Sequence, residues 1–214
     1  MYSIDTDFPV DSIPSGTNLL ITGPPMTGKY DLLVELLADS YRYDERAVFI
    51  TTQKSPDQIH ADFAAGLGVD SVTDLGIVDC AGQERSGKHA DDEHIRSVSS
   101  PADLTGIGMA SSELIETFGD RGHRVRTGLS SLSQLLMYAD VKTVFRFLHI
   151  LTGRISSADG LGLCTLDSDV HDDQTVNTVK QLFDGAIETR NEGDDSRAFR
   201  VLGLPDADDR WIDF

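Results

Sequence analysis

The sequence predicts an α/β fold, in which a mostly parallel sheet is flanked by helices and carries a C-terminal antiparallel hairpin on one edge. Short apolar segments alternate with helical patterns along most of the 214 residues, which is the order typical of a parallel sheet. Two later strand-like segments, 186–189 and 198–202, are separated by a polar turn and predict the hairpin. The length suits a single domain. We expect that domain to span residues 1–214, with an irregular lead-in at 1–16, a long loop at 81–102, and the hairpin and tail at 185–214.

The predicted strands and helices follow one another in a regular order. Four mainly apolar segments have the length and composition of buried strands, namely residues 18–22, 47–51, 76–80 and 161–166. A further strand is predicted at 123–129, where Arg124 and Arg126 alternate with Val125. Ser55 and Pro56 suit the N-cap and the first position of a helix, and Asp103 begins another helix. Apolar residues repeat at intervals of three and four between Val141 and Ile155, which predicts a long helix packed on the sheet.

A glycine-rich loop follows the first predicted strand and precedes a helical pattern. It consists of Gly23, Pro24, Pro25, Met26, Thr27, Gly28, Lys29 and Tyr30. Strand, glycine loop, lysine and helix in this order form the scaffold of a nucleotide-binding P-loop, or Walker A motif. The two glycines let backbone N–H groups turn toward phosphate oxygens, and Lys29 supplies a positive charge. Tyr30 departs from the pattern, because this position should carry the Ser or Thr hydroxyl that binds Mg²⁺.

The composition shows a large excess of negative charge. The chain has 36 acidic residues against 18 Lys and Arg, of which five are Lys, and its net charge is −18. This balance is typical of salt-adapted cytoplasmic proteins such as those of haloarchaea, because concentrated salt screens the self-repulsion. We do not expect such a surface to bind nucleic acid or anionic lipid. We expect a cytoplasmic protein without membrane insertion, since the sequence shows neither a signal peptide nor an apolar run of membrane-spanning length. Cys80 and Cys164 are predicted to be buried, reduced thiols.

The order of these motifs resembles that of the RecA-superfamily ATPases, and of the archaeal KaiC-like proteins in particular. The resemblance rests on residues 23–29, Ser55-Pro56, Asp103-Leu104-Thr105, Ser130-Ser131-Leu132-Ser133 and Gly203-Leu204-Pro205. The loop is the specific motif, and the other elements are individually weak but correctly ordered along nearly the whole chain. The resemblance implies a RecA-like P-loop NTPase fold with ATP or ADP as the ligand.

Three catalytic positions of that family carry unsuitable residues in this chain. The two glutamates that usually precede Ser-Pro, one of which activates the attacking water, are replaced by Gln53 and Lys54. The Walker B aspartate that should end the fourth strand is replaced by Ser130, which brings no negative charge to a metal ion. Together with Tyr30, these replacements imply a catalytically degenerate, haloarchaeal branch of the family, with no catalytic residues and no metal site.

We therefore expect a pseudoenzyme that binds ATP or ADP weakly or not at all and does not hold Mg²⁺ firmly. It would act through protein partners or as a homo-oligomer in signal transduction or regulation. The alternative is an active ATPase, completed by a partner or by the unorthodox residues Asp79, Glu84 or Asp31. A scaffold with an empty loop is a third hypothesis. A recombination accessory of the same superfamily is disfavoured, because the sequence has no basic stripe.

Several other residues admit both a functional and a structural interpretation. The cluster at 89–94 contains two His and three acidic residues and could bind a metal, but solvated loop polarity is favoured. Arg124 and Arg126 could contact a nucleotide held by a neighbouring subunit, but ion pairs within the chain are favoured. Trp211 and Phe214 give the tail an apolar character, and we expect it to fold back on the sheet edge.

Overall fold

The computed structural model describes residues 1–4, 8–81, 92–193, 196–205 and 207–214. In this part of the chain, the predicted α/β class is confirmed. A nine-stranded, mostly parallel sheet lies between two layers of helices, and a C-terminal antiparallel hairpin occupies one of its edges.

The main sheet is parallel through most of its width. In chain order, the strands of the main sheet and of a separate two-stranded sheet are β1 (Tyr2–Ser3), β2 (Ser12–Ile13), β3 (Asn18–Gly23), β4 (Arg46–Thr51), β5 (Gly76–Asp79), β6 (Ile95–Ser97), β7 (Val125–Ser130), β8 (Leu161–Asp167), β9 (Gly185–Gly193), β10 (Ser196–Leu202) and β11 (Ile212–Asp213). The strand order in the main sheet is β11-β10-β9-β3-β8-β7-β4-β5-β6. Neighbouring strands from β9 to β6 are parallel, and β10 and β11 extend the β9 edge in antiparallel fashion. The short strands β1 and β2 pair with each other.

The helices cover both faces of the sheet. They are α1 (Lys29–Ala38), α2 (Pro56–Leu67), α3 (Leu104–Asp120), α4 (Leu132–Tyr138), α5 (Val141–Ser157) and α6 (Asp173–Lys180). Alternate residues of one strand enter opposite layers: Leu19 and Ile21 pack with α1 and α2, whereas Leu20 packs with the other helices. Strands buried on both faces are continuous apolar runs, which is why the sequence predicts them well. No helix in the described ranges combines the length and the apolarity required to cross a membrane.

Side-chain caps fix the helix starts that the sequence predicts. The Ser55 hydroxyl accepts the N–H of Gln58, and the Gln58 side chain accepts the N–H of Ser55 at 2.9 Å, so α2 begins with a capping box. The Asp103 side chain accepts the N–H of Gly106 and so caps α3. The long helix predicted at 141–155 is α5, which Asp140 caps, and the separate helix α4 precedes it.

Two regions predicted to be irregular contain short strands. The lead-in at 1–16 includes β1 and β2, and its residues Tyr2 and Ile13 are fully buried. The loop predicted at 81–102 includes β6, which pairs with β5, whereas residues 82–91 lie outside the described residues. The prediction of irregular structure was wrong at β1, β2 and β6, because strands of two or three residues are too short to show a hydrophobic period.

Arg124 and Arg126 form ion pairs within the chain, as the favoured interpretation predicted. Arg126 is fully buried, and its Nε donates to Glu45 Oε2 at 2.7 Å. Its two terminal NH2 groups donate to the carbonyl oxygens of Leu36 and Ser3, each at 2.7 Å. Arg124 binds the other carboxylate oxygen of Glu45, which is itself 1% exposed. This buried cluster connects β7 to α1, to the segment before β4 and to β1.

The two cysteines are buried free thiols, as predicted. Burial raises the pKa of Cys80 and of Cys164 to about 12. Thiols with so high a pKa form little thiolate near neutral pH, and the thiolate is the nucleophile and the metal ligand. Cysteine chemistry is therefore not expected in this protein.

Candidate functional site

A cavity of about 830 Å³ opens at the carboxyl ends of the parallel strands. Ligand sites of open α/β sheets lie at this edge, and the volume suits a small-molecule ligand. Residues that line the cavity include Met26, Gly28, Lys29, Tyr30, Asp31, Gln53, Lys54, Ser130, Asp167 and Arg197. Four residues of the predicted loop thus lie at one cavity with the three other positions at which the sequence predicts degenerate catalytic residues. These are Met26, Gly28, Lys29 and Tyr30 of the loop, together with Gln53, Lys54 and Ser130. The remaining loop residues, Gly23, Pro24, Pro25 and Thr27, are not among the lining residues.

Close packing against β9 shapes the glycine loop, which we define as residues 23–28. A Cβ atom at Gly23 would lie 2.3 Å from the carbonyl oxygen of Thr189, so a side chain does not fit there. The Thr27 hydroxyl lies 2.6 Å from the Thr189 hydroxyl and donates to the Pro24 carbonyl at 2.8 Å. Gly28 has a φ of +79° and is the N-cap of α1, which no side chain caps. The loop is therefore held from behind by β9 and presents the start of α1 to the cavity.

Replacement of Gly23 by alanine is expected to lower the free energy of unfolding by about 1–3 kcal/mol, because the methyl group would overlap the Thr189 backbone. Gly153 in α5 is a matched control, since a Cβ there has no heavy atom within 4 Å. Gly153→Ala should raise the free energy of unfolding by about 0.5–1 kcal/mol. Urea denaturation of both variants at constant salt measures these changes. A Gly23→Ala variant as stable as the wild type would contradict the packing of the loop on β9.

The Lys29 ammonium group lies buried at the cavity wall, where it already has several partners. Its Nζ donates to the carbonyl oxygens of Gly23, at 3.0 Å, and of Pro24. It also lies 2.9 Å from Asp167 Oδ1. Lys29 is 7% exposed, whereas the Asp167 side chain is 29% exposed. An anionic ligand would compete with Asp167 for this ammonium group.

Asp167 is a site residue that the sequence analysis missed. It is the last residue of β8, and its N–H donates to the Ser133 hydroxyl at 2.9 Å. β8 lies between β3 and β7, so Asp167 is next to the glycine loop. The sequence signal that could have identified Asp167 is its position directly after the apolar segment at 161–166. Arg197 was also missed, because this β10 residue reaches Asp31 across 166 positions in sequence.

The Tyr30 hydroxyl points to α2, where it donates to Asp62 Oδ2. Lys54 Nζ lies 2.6 Å from the same oxygen and 3.9 Å from the centre of the Tyr30 ring. Burial and, next, the hydrogen bond to Asp62 raise the pKa of Tyr30, so the phenol stays protonated. Positions 30 and 54, which the sequence analysis treated separately, are therefore joined through Asp62.

Two threonines place Gln53, Lys54 and Ser130 at the cavity. The Thr51 hydroxyl accepts the N–H of Gln53 at 3.4 Å and the N–H of Lys54 at 3.0 Å, which fixes the turn after β4. The N–H and the hydroxyl of Thr52 both donate to the Ser130 carbonyl, each at 3.0 Å. The ends of β4 and β7 are thereby tied together.

The cavity carries more cations than carboxylates, although acidic residues outnumber Lys and Arg two to one in the chain. Lys29, Lys54 and Arg197 line it, against Asp31 and Asp167. Each of these two carboxylates already has a cationic partner: Asp167 pairs with Lys29 at 2.9 Å, and Asp31 pairs with Arg197 at 2.8 Å. The third cation, Lys54, pairs with Asp62, which is not a lining residue, so the lining itself has an excess of one positive charge. This excess favours an anionic ligand.

Other acidic and histidine residues from the sequence analysis lie elsewhere. Asp79 does not line the cavity, and its Oδ1 accepts the N–H of Ala81 at 2.9 Å. Glu84 and positions 89–91 of the histidine-containing cluster lie outside the described residues. His94 is buried, and its Nε2 lies 3.5 Å from Asp74 Oδ1. Within the described residues, no group of three or more His, Cys, Asp or Glu is placed to hold a metal ion.

The tail folds back on the sheet edge, as predicted. β11 pairs with β10, and the N–H of Phe214 donates to the Arg197 carbonyl at 2.9 Å. A Cβ at Gly28 would lie 2.8 Å from the Phe214 ring, so this ring packs directly against the glycine loop. The Trp211 ring covers the Arg190 guanidinium at 3.8 Å.

The fold and the cavity define an α/β protein with a candidate anion site at the carboxyl ends of its parallel strands. The chain belongs to DUF7504, a family of unknown function, whose model matches residues 16–189. The matched range includes the glycine loop, Lys54, Ser130 and Asp167, and it ends within β9. No curated protein matches the chain.

Proposed function

We propose that this protein is a catalytically degenerate, KaiC-like member of the RecA superfamily, in which residues 23–30 form a P-loop. The P-loop binds ATP or ADP through its phosphates. The protein acts through a protein partner or a second copy of itself in signalling or regulation. A parallel sheet with the glycine loop at the end of β3 and a hairpin on its edge supports this assignment.

The observation that carries the proposal is the placement of Lys29. Its ammonium group lies at the cavity wall, held by two carbonyl oxygens of the glycine loop. Gly28 leaves the start of α1 free of a side-chain cap. Helix N-terminal N–H groups beside a lysine are suited to phosphate oxygens, because both supply positive charge and hydrogen-bond donors.

The residues around Lys29 do not support hydrolysis. Gln53 has no basic group, and the Lys54 ammonium cannot accept a proton from water. Ser130 brings no charge to a metal ion, and the Tyr30 hydroxyl is bound to Asp62. Bases and metal ligands each contribute orders of magnitude to phosphoryl transfer, so we expect negligible turnover.

An active ATPase is the second candidate, and Asp167 is the observation that favours it. This carboxylate lies at the cavity wall, 2.9 Å from Lys29, and could serve as an unorthodox metal ligand or base. Parallel measurements of ATP binding and of phosphate release, in concentrated salt, separate the two candidates. Binding without release supports the degenerate P-loop, and release that is lost in Lys29→Met supports the ATPase.

A further inference from the structure

We propose that the cavity binds a di- or triphosphate without a divalent cation, and that Lys54 supplies the positive charge that Mg²⁺ supplies in other P-loop proteins. This inference rests on the proposed function, because it concerns the same ligand in the same cavity. It adds the chemical form of that ligand and a residue that recognises it.

Among the described residues that line it, the cavity offers Mg²⁺ no carboxylate that is free of a cationic partner. Mg²⁺ requires octahedral oxygen coordination, which proteins usually supply through one or two carboxylates beside phosphate oxygens and water. The Tyr30 hydroxyl is turned to Asp62, and Ser130 is uncharged. The two carboxylates that line the cavity are both engaged by cations: Asp31 by Arg197 and Asp167 by Lys29. A metal ion would have to displace a cation to gain either carboxylate.

Lys54 is placed to supply a charge at the same cavity. Its Nζ lies 2.6 Å from Asp62 Oδ2, and its side chain is 38% exposed. Lys54 lines the cavity, whereas Asp62, which is on α2, is not a lining residue. The cavity therefore has the ammonium group at its wall and the balancing carboxylate outside its lining. The chain has five lysines, and two of them, Lys29 and Lys54, line this one cavity.

The surroundings of Lys54 hold its ammonium group in place before a ligand arrives. The Thr51 hydroxyl binds the N–H of Lys54 and fixes the backbone turn. The Tyr30 ring lies 3.9 Å from the ammonium group, and Asp62 binds it from α2. An ammonium group has three N–H donors, and the bond to Asp62 uses one of them. Phosphate oxygens can bind to further donors without breaking the contact with Asp62.

Tyr30 and Lys54, which replace the usual residues at these two positions, then act together. Tyr30 removes the metal-binding hydroxyl from the P-loop and supplies a ring that stabilises a cation. Lys54 provides that cation at a position where related ATPases carry glutamate. A glutamate there would repel the terminal phosphate of a ligand that brings no metal ion, whereas a lysine attracts it.

The test is the equilibrium binding of ATP and of inorganic pyrophosphate, each measured in EDTA and in excess Mg²⁺ at one high salt concentration. The wild type is expected to bind ATP in EDTA within about threefold of its affinity in Mg²⁺. Lys54→Met should weaken both ligands about tenfold or more, because a charge-assisted hydrogen bond is lost. Lys54→Arg should restore most of the affinity. Lys142→Met, an exposed substitution on α5 outside the cavity, controls for the loss of one positive charge.

The possible outcomes separate this inference from the proposed function. ATP binding that requires Mg²⁺, or equal binding by Lys54→Met and the wild type, overturns the inference and leaves the proposed function standing. Binding of neither ATP nor pyrophosphate by the folded wild type overturns both. Thermal unfolding of each variant confirms that it is folded. Since Lys54→Met could loosen Asp62 and Tyr30, Asp62→Asn provides a second variant, and it should retain or strengthen ATP binding because the ammonium group keeps its charge at the cavity wall.

Discussion

Lys29→Met is expected to weaken ATP binding about 10- to 100-fold, and Asp167→Asn is expected to strengthen it about tenfold. The two substitutions change the ATP affinity in opposite directions because the two side chains form an ion pair, in which Lys29 Nζ lies 2.9 Å from Asp167 Oδ1. Methionine removes the buried ammonium group that a phosphate would contact. Asparagine removes the carboxylate that competes with the phosphate and repels it, and it leaves the ammonium group in place.

Isothermal titration with ATP in concentrated salt measures both changes, and Lys142→Met again controls for the altered net charge. Unchanged affinity in Lys29→Met would contradict the assignment of the cavity as a P-loop. A loss of ATP binding in Asp167→Asn would contradict the competitor role of Asp167. That result would instead favour the active ATPase, in which Asp167 holds a metal ion.

Glu45→Gln is expected to lower the free energy of unfolding by about 3–5 kcal/mol, because it leaves a buried guanidinium without its counter-charge. Arg126 is fully buried and donates to Glu45 at 2.7 Å, and Arg124 depends on the same carboxylate. Urea denaturation at constant salt measures the change. Glu113→Gln is the matched control, because Glu113 pairs with Arg96 at the surface, and its effect should be much smaller.

The double variant Glu45→Gln/Arg126→Met extends this test. Removal of both charges should cost less than the sum of the two single changes, since neither charge is then left unpaired in the core. Additive losses, or a single Glu45→Gln loss as small as that of Glu113→Gln, would contradict the buried cluster as a coupled unit.

The strands of the sheet could be predicted from the sequence because they are buried on both faces. The segments at 18–22 and 161–166 are mainly apolar, and β3 and β8 extend each of them by one residue. Helix caps such as Ser55 could be predicted equally well, because they depend on residues that are close together in sequence. β6 could not be predicted, because its pairing with β5 is a contact between distant segments and its three residues carry no period.

Individual residues of the candidate site could be predicted only where a local motif marks them. Lys29, Lys54 and Ser130 belong to such motifs, and the structure brings them to one cavity. Asp167 directly follows the apolar segment at 161–166, but it also begins an acidic segment with Asp169, and in a chain this acidic that position alone does not assign it a role. The contact of Tyr30 and Lys54 with Asp62 depends on how α2 packs beside the loop, so the sequence did not reveal it.

The central claim is that the cavity still binds a nucleotide but no longer hydrolyses it. Phosphate release by the wild type, at an ATP concentration that calorimetry shows to be saturating and with excess Mg²⁺ in concentrated salt, tests this claim most directly. We expect saturable ATP binding together with phosphate release no faster than that of Lys29→Met. Mg²⁺-dependent release that Lys29→Met abolishes would contradict the claim and establish the protein as an ATPase.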